Sequence, residues 1–255
     1  MTAALLTRPV VDHDALDLWL AAAPRAEAVD RLDLSELNDA ERTRAASFIR
    51  PTDGATYATA HIALRRLLGA YLGMDPADVP FVRQPCPGCG GPHGRPAVAE
   101  TDPPLHFSLS HSHGLVLVGV AARPVGADVE RLPRAETAAV CLPRLHPRER
   151  DELGSLPEES RPLAFGQLWT RKEAFLKGLG TGLSRGPDVD YLGSDVARRP
   201  AGWTVLDVPA GKHHNAAVAL RGDAPTELTL RRVPAEALFA GGRIDRPSPR
   251  PFTGE

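Results

Sequence analysis

Lysine is almost absent from this 255-residue chain: of 30 lysines and arginines, only Lys172, Lys177 and Lys212 are lysines. The arginine excess, together with 25 prolines, hints at a GC-rich coding bias rather than at chemistry. Cysteine is scarce too, and three cysteines do not make the disulfide framework of a secreted scaffold; they fit a reducing cytoplasm. Long apolar runs are missing. No stretch approaches a membrane span, and the opening run is too short for a signal peptide, with Asp12 and Asp14 following at once. Excess charge is missing as well: a formal net charge of −2 makes no case for nucleic acid. Nor is there a G-x-x-x-x-G-K-S/T phosphate loop. What remains is 42% hydrophobic and 24% charged, ordinary for a globular protein and long enough for two modest lobes.

Two of the three lysines fall in one stretch, F-G-Q-L-W-T-R-K-E-A-F-L-K-G-L-G-T-G-L at 165–183. At 3.6 residues per turn Phe165, Leu168, Phe175, Leu176 and Leu179 share a core-facing stripe, and Trp169, Thr170, Glu173 and Lys177 a neighbouring one. Three glycines then end the helix near 177–180. Glu173 and Lys177, one turn apart, read either as a solvated surface pair or as a site for a phosphate oxygen, where a compact ammonium serves differently from a planar guanidinium.

Residues 13–22 read as a short helix or a strand, since Leu16, Leu18 and Leu20 alternate. Asn38 is placed to cap a helix that stops before Pro51, and a second helix spans 54–72. His61 on it reads as a packed or hydrogen-bonded histidine. From Asp75 to Pro104 proline and glycine predict a loop. Within it, Cys86-x2-Cys89 followed by His93 has the look of half a metal site, without the second ligand pair zinc requires; the alternative is a loop that delivers Arg95 to a cleft edge. Three strands follow at 106–110, 115–121 and 125–130, a charged helical region at 134–159, and strands at 203–208, 215–220 and 227–233. A faint echo between 116–121 and 215–220 suggests two lobes of similar plan. The expected lobes are 1–124 and 125–238, with a disordered tail at 239–255.

On the strand G-A-D-V-E, Asp128 and Glu130 point to one side and Val125, Ala127 and Val129 to the other. Like charges on one sheet face are costly unless exposed or bound to a cation. A solvated edge strand satisfies the pattern; so does a hard ion such as Mg²⁺ shared with substrate phosphates.

Taken in order and spacing, F-S-L-S-H-S at 107–112, G-A-D-V-E at 126–130 and W-T-R-K-E-A-F-L-K at 169–177 resemble the three signature motifs of the phosphopantetheinyl transferases, in their larger two-lobed Sfp type. The resemblance covers residues 34–220. It implies an α+β fold with a pseudo-twofold pair of similar α/β lobes and the active site in the cleft between them. It implies transfer of the 4′-phosphopantetheine group of coenzyme A to a serine of an acyl or peptidyl carrier protein, with Mg²⁺, releasing 3′,5′-ADP, for polyketide, nonribosomal peptide or fatty acid synthesis. A cytoplasmic monomer with no nucleic-acid or membrane partner is expected.

By position, Asp128, Glu130 and Glu173 match the family's metal ligands, and Glu173 also its general base. Lys177 matches a phosphate contact that neutralises the leaving group, and Lys172 a residue that orients Glu173 or touches phosphate. Ser110 and His111 resemble a pair that binds coenzyme A phosphates. Arg95, in G-R-P, would approach the adenine or a nearby phosphate, and Arg44 and Arg65 fall where further basic contacts are expected. Ala127 departs from the usual Ile or Val, and the Cys86-to-Gly94 stretch lies outside the motif set. Because carriers are acidic, a basic and apolar docking surface is expected near the arginines of 131–150. The rival reading is a non-catalytic protein of the same fold that binds carrier protein or coenzyme A.

Overall fold

The computed structural model describes residues 11–92, 94–99, 101 and 104–245. The chain builds four layers, helix on sheet on sheet on helix. The first sheet has the order β4-β5-β1-β9 and the second β6-β8-β7. β1 (Ala15–Ala22) resolves the helix-or-strand ambiguity. It is followed by α1 (Asp39–Ala46), α2 (Pro51–Leu72), the short pair β2 (Phe81–Arg83) and β3 (Pro96–Val98), then β4 (His106–Ser112) and β5 (Leu115–Ala121). The second half runs β6 (Val125–Arg131), α3 (Ala135–Cys141), α4 (Pro147–Gly154), α5 (Arg161–Leu179), β7 (Trp203–Asp207) and β8 (His214–Arg221), and β9 (Glu227–Arg232) comes last.

Alternation explains the layering. Leu16, Leu18 and Leu20 of β1 pack with Leu117 of β5, Val125, Ala127 and Val129 of β6, and Val218 and Leu220 of β8, a core lying between the sheets. Trp19 and Ala21, on the opposite face of β1, pack with α2. The outer face of the second sheet meets α5 through Ala217, Ala219, Ala174 and Phe175. Sheets covered on both faces need continuous apolar strands, and β5 is buried along its whole length.

Within the halves the topology repeats. Each opens on a strand, inserts helices and adds two strands, the last of which lies in the middle: β4-β5-β1 and β6-β8-β7. β1, β4 and β5 of the first sheet precede residue 125, and β6, β7 and β8 of the second follow it. β9 then departs from this division, returning to pair in parallel with β1, and Val233, Ala237 and Leu238 join the core beneath α2. Buried Arg66 fastens this return by donating to Ala237 O at 2.5 Å and Phe239 O at 3.0 Å, while binding Glu36 and Asp33. The call of a disordered tail at 239–255 meets an ordered start, since Phe239 bridges Leu32 and Ile244 packs against the first core; residues 246–255 lie outside the described residues.

The 75–104 segment carries more structure than its proline and glycine predict, because β2 and β3 pair antiparallel over three residues each. At the Ser112-His113-Gly114 turn, His113 and Gly114 both have positive φ, 47° and 83°, the two-residue hairpin geometry that matches strand twist. Among the described residues no helix is long and apolar enough to cross a membrane.

Candidate active site

β4 and β6 are edge strands of different sheets, and serines join them. Ser108, Ser110 and Ser112 alternate along β4 and so face one way. Ser108 Oγ accepts from Ala127 N at 2.9 Å. Ser110 Oγ donates to Asp128 Oδ1 at 2.8 Å, and Ser112 Oγ donates to Glu130 Oε2 at 2.7 Å while accepting from Arg131 N at 3.3 Å. The row substitutes for a backbone ladder and fixes one oxygen of each carboxylate.

α5 brings the third carboxylate and the ammonium. It lies directly on β6 because two glycines permit it: a Cβ on Gly126 would stand 1.9 Å from Ala174 O, and one on Gly178 would stand 3.3 Å from Gly126 N. The helix ends at Gly180 in the left-handed region, φ 82°, as its glycines predict. Lys177 in the last turn donates to Asp128 Oδ1 at 2.7 Å. Asp128 is 2% exposed, and its Oδ2 is buried without a partner. Burial raises the carboxyls of both Glu130 and Glu173. The Asp128 charge raises them further, and Lys177 partly opposes the rise.

Three carboxyl side chains near one another, one with an orphan oxygen, form an all-oxygen donor set suited to a hard divalent cation. No group of three or more His, Cys, Asp or Glu side chains is already gathered in metal-holding geometry among the described residues. Lys177 holds the Asp128 charge instead.

His111 lies on the opposite face of β4 from Ser110, so the two do not form a pair. Its ring meets Tyr57 edge-on at 5.9 Å, Tyr57 continues to His61 at 4.2 Å and Phe48 at 5.6 Å, and exposed Arg44 lies over Phe48 at 4.7 Å. Burial lowers the His111 pKa, helped by the charges of His61 and Lys177. The row leads from α1 toward the carboxylates. Beside it a cavity of about 260 Å³ is walled by Phe81, Phe107 and Leu109, with Glu41 and His61 among its polar groups.

Two sequence assignments change, those of Arg65 and Lys172. Arg65 is 2% exposed and turned inward, donating to Glu41 at 2.8 Å and to the carbonyls of Pro76 and Ala77. It ties α1 to α2 and to the chain beyond. Lys172 points away from Glu173, since neighbours in a helix are about 100° apart. Its three donors go to Glu149 Oε2, Pro187 O and Asp190 O, each at 2.7 Å, leaving none for a phosphate. Arg95 reaches the cleft edge as a strut, bonding Gln84 at 2.7 Å, Gly178 O at 3.2 Å and His106 at 3.3 Å. His61 is hydrogen-bonded, to Glu41 at 3.2 Å. Cys86 and Cys89 are not joined in a disulfide, and His93 lies outside the described residues.

Sequence reading passed over Ser108, Ser112 and Glu149. The serine row was signalled by alternation in F-S-L-S-H-S against D-V-E. Ala127 is explained by packing: its Cβ lies 3.5 Å from where a Cβ on Gly119 would stand, so the sheets meet there with little room for a larger side chain.

The family described as the 4′-phosphopantetheinyl transferase superfamily matches residues 124–215, the span that includes β6 and α5. The chain is 29% identical over 218 residues to the 4′-phosphopantetheinyl transferase HetI of Nostoc sp. strain PCC 7120, covering 82% of this chain and 89% of the relative. It is 25% identical over 213 residues to a 4′-phosphopantetheinyl transferase of Bacillus subtilis, covering 84% and 88%. To the 4′-phosphopantetheinyl transferase Sfp of Bacillus subtilis strain 168 it is 22% identical over 161 residues, covering 63% and 68%.

Proposed function

The chain belongs to the 4′-phosphopantetheinyl transferase superfamily, and from that premise we propose that it moves 4′-phosphopantetheine from coenzyme A to a carrier-protein serine in the cleft between two pseudo-twofold lobes. The carriers are those of polyketide, nonribosomal peptide or fatty acid synthesis. The observation that carries this reading is the state of Asp128: one oxygen held by Ser110 and Lys177, the other buried and unpartnered, with Glu130 and Glu173 beside it.

Asp128, Glu130 and Glu173 would hold Mg²⁺. The bound ion supplies charge neutralisation for the pyrophosphate oxygens. Phosphoryl transfer depends mostly on positioning and charge, and the chain's own groups serve both. The serine row keeps one oxygen of Asp128 and Glu130 fixed and leaves the other for the ion. Lys177 offers an ammonium at the end of α5 to the departing phosphate oxygen. Glu173, raised above the ordinary carboxylate range by burial and then by the Asp128 charge, is a better proton acceptor than an exposed glutamate. As the carrier serine oxygen bonds to the β-phosphorus, its proton passes to Glu173 and the bond to 3′,5′-ADP breaks. His111, at the end of the Arg44–Phe48–Tyr57 row, faces the 3′-phosphate in this reading.

The test is intact-mass spectrometry of an apo carrier protein incubated with the chain, coenzyme A and Mg²⁺. A gain of one phosphopantetheine, lost with Glu173→Gln, supports the reading. Coenzyme A binding without mass gain on several unrelated carriers favours a non-catalytic binder.

A further inference from the structure

Cys86 and Cys89 take no part in the transfer chemistry above. They lie in the turn between β2 and β3, which closes on itself: Gly90 N donates to Cys86 O at 2.7 Å, and Cys86 N donates to Gly91 O at 2.8 Å. Gly90 has φ 72°, a conformation glycine adopts at little cost. Folding the turn back this way aims the backbone N–H groups of Cys89 and Gly88 at the Cys86 sulfur, and the Cys89 thiol also bonds to it. Cys86 is buried, Cys89 is exposed, and the two are not joined in a disulfide.

A cysteine that merely fills an apolar core needs no ring of N–H donors around its sulfur. Such donors stabilise the thiolate, the form that ligates metal, and outer hydrogen bonds of this kind orient and tune a metal's ligands. Two sulfurs close enough to bond one another, in a loop already closed before any ion arrives, form a chelating pair.

We propose that Cys86 and Cys89 form a two-thiolate knuckle that binds a thiophilic divalent cation, zinc being the representative case. The pair fills half a tetrahedral shell, and water or groups beyond the pair fill the rest. This assignment is independent of the transferase reading. Its consequence is mechanical. A Cβ on Gly180, the residue that ends α5, would stand 3.7 Å from Pro87 and 3.6 Å from Arg95. The base of the loop is clamped by Gln84 N donating to Arg95 O at 3.0 Å and Gly94 N donating to Gln84 O at 3.0 Å. A cation in the knuckle therefore braces the loop that packs on the end of α5 and supports the Arg95 strut.

The test strips the full chain with a chelator and titrates it with Co²⁺ and then Zn²⁺. The expected result is one cobalt per chain with a thiolate-to-cobalt charge-transfer band, displaced by zinc, retained in Cys141→Ser and lost in Cys86→Ser and Cys89→Ser. Cys89 is exposed, so its serine variant keeps the fold, which circular dichroism verifies. Zinc should also shield two of the three thiols from alkylation. The proposal is overturned by a band that survives both knuckle variants, or by equal alkylation of all thiols with and without zinc.

Discussion

The ammonium of Lys177 sits 2.7 Å from Oδ1 of Asp128, while the other oxygen of that buried carboxylate has no partner. One half of the side chain is neutralised by the protein, and the other half is held ready for a ligand. The same division applies to Glu130, whose Oε2 is taken by Ser112. The serines thus set the direction in which the carboxylates present their remaining oxygens.

If these carboxylates hold Mg²⁺ as proposed, removing such a support lowers metal affinity without removing a ligand. Ser112→Ala should raise the Mg²⁺ concentration for half-maximal transfer by about 10- to 100-fold, leaving the maximal rate at saturating Mg²⁺ close to that of the parent. A Mg²⁺ titration of carrier modification measures it. A fall in maximal rate with unchanged Mg²⁺ demand would assign Ser112 a different role.

Asp128→Asn keeps the shape of the side chain and removes its charge. Transfer should fall about 100-fold or more, the scale of losing one preorganised electrostatic contact in a dry site. Single-turnover rates measured by carrier mass would reveal it, with coenzyme A binding followed in parallel by calorimetry.

Gly126→Ala acts at a distance from the chemistry. Its Cβ would stand 1.9 Å from Ala174 O and 2.3 Å from Gly178 N, so α5 must lift from β6 and carry Glu173 and Lys177 with it. Misplacement on the order of 1 Å costs about 100-fold in rate. A parent-like rate in a folded variant would show that α5 can lie farther from β6 without loss.

Lys172 and Glu149 form a buried pair, with side chains 3% and 0% exposed. Lys172→Met strands the Glu149 charge and should cost about 3–5 kcal/mol in urea unfolding. The double variant with Glu149→Gln should recover much of that loss. Parent-like stability in the single variant would remove the pair from the account of the fold.

Burial pushes the Glu41 carboxyl up, but hydrogen bonds from His61, Arg65 and Asn38 outweigh it and hold the pKa at about 2, against an ordinary 4.5. A depressed carboxylate contributes stability that is fully present above pH 4.5 and lost as pH falls toward about 2. The difference corresponds to about 3 kcal/mol at most. Glu41→Gln should flatten the acid limb of the stability profile within that window, read by urea midpoints at successive pH values.

How far the sequence carried depended on range. Local signals were legible: Asn38 caps α1 with a full capping box, Gly180 ends α5, and D-V-E alternation placed Asp128 and Glu130 together. The β2–β3 pair was not, because three-residue strands amid proline and glycine carry too little periodicity. Lys172 misled because adjacency in a motif is not adjacency on a helix face. Arg65 misled because an arginine beside an apolar stripe reads the same whether it faces a ligand or a buried glutamate twenty-four residues earlier.

The return of β9 to β1 ties the strand at 227–232 to the one at 15–22, with the whole second sheet between them. During synthesis from the N-terminus, β1 must wait for its parallel neighbour until everything through β8 has been made. Until then the Leu16, Leu18 and Leu20 face of β1 depends on β6 and β8 for its cover, and the edge later taken by β9 stays open. Long-range pairing of this kind is slow, and open strand edges invite aggregation. The second sheet is therefore an insertion that the first must accommodate before it is complete.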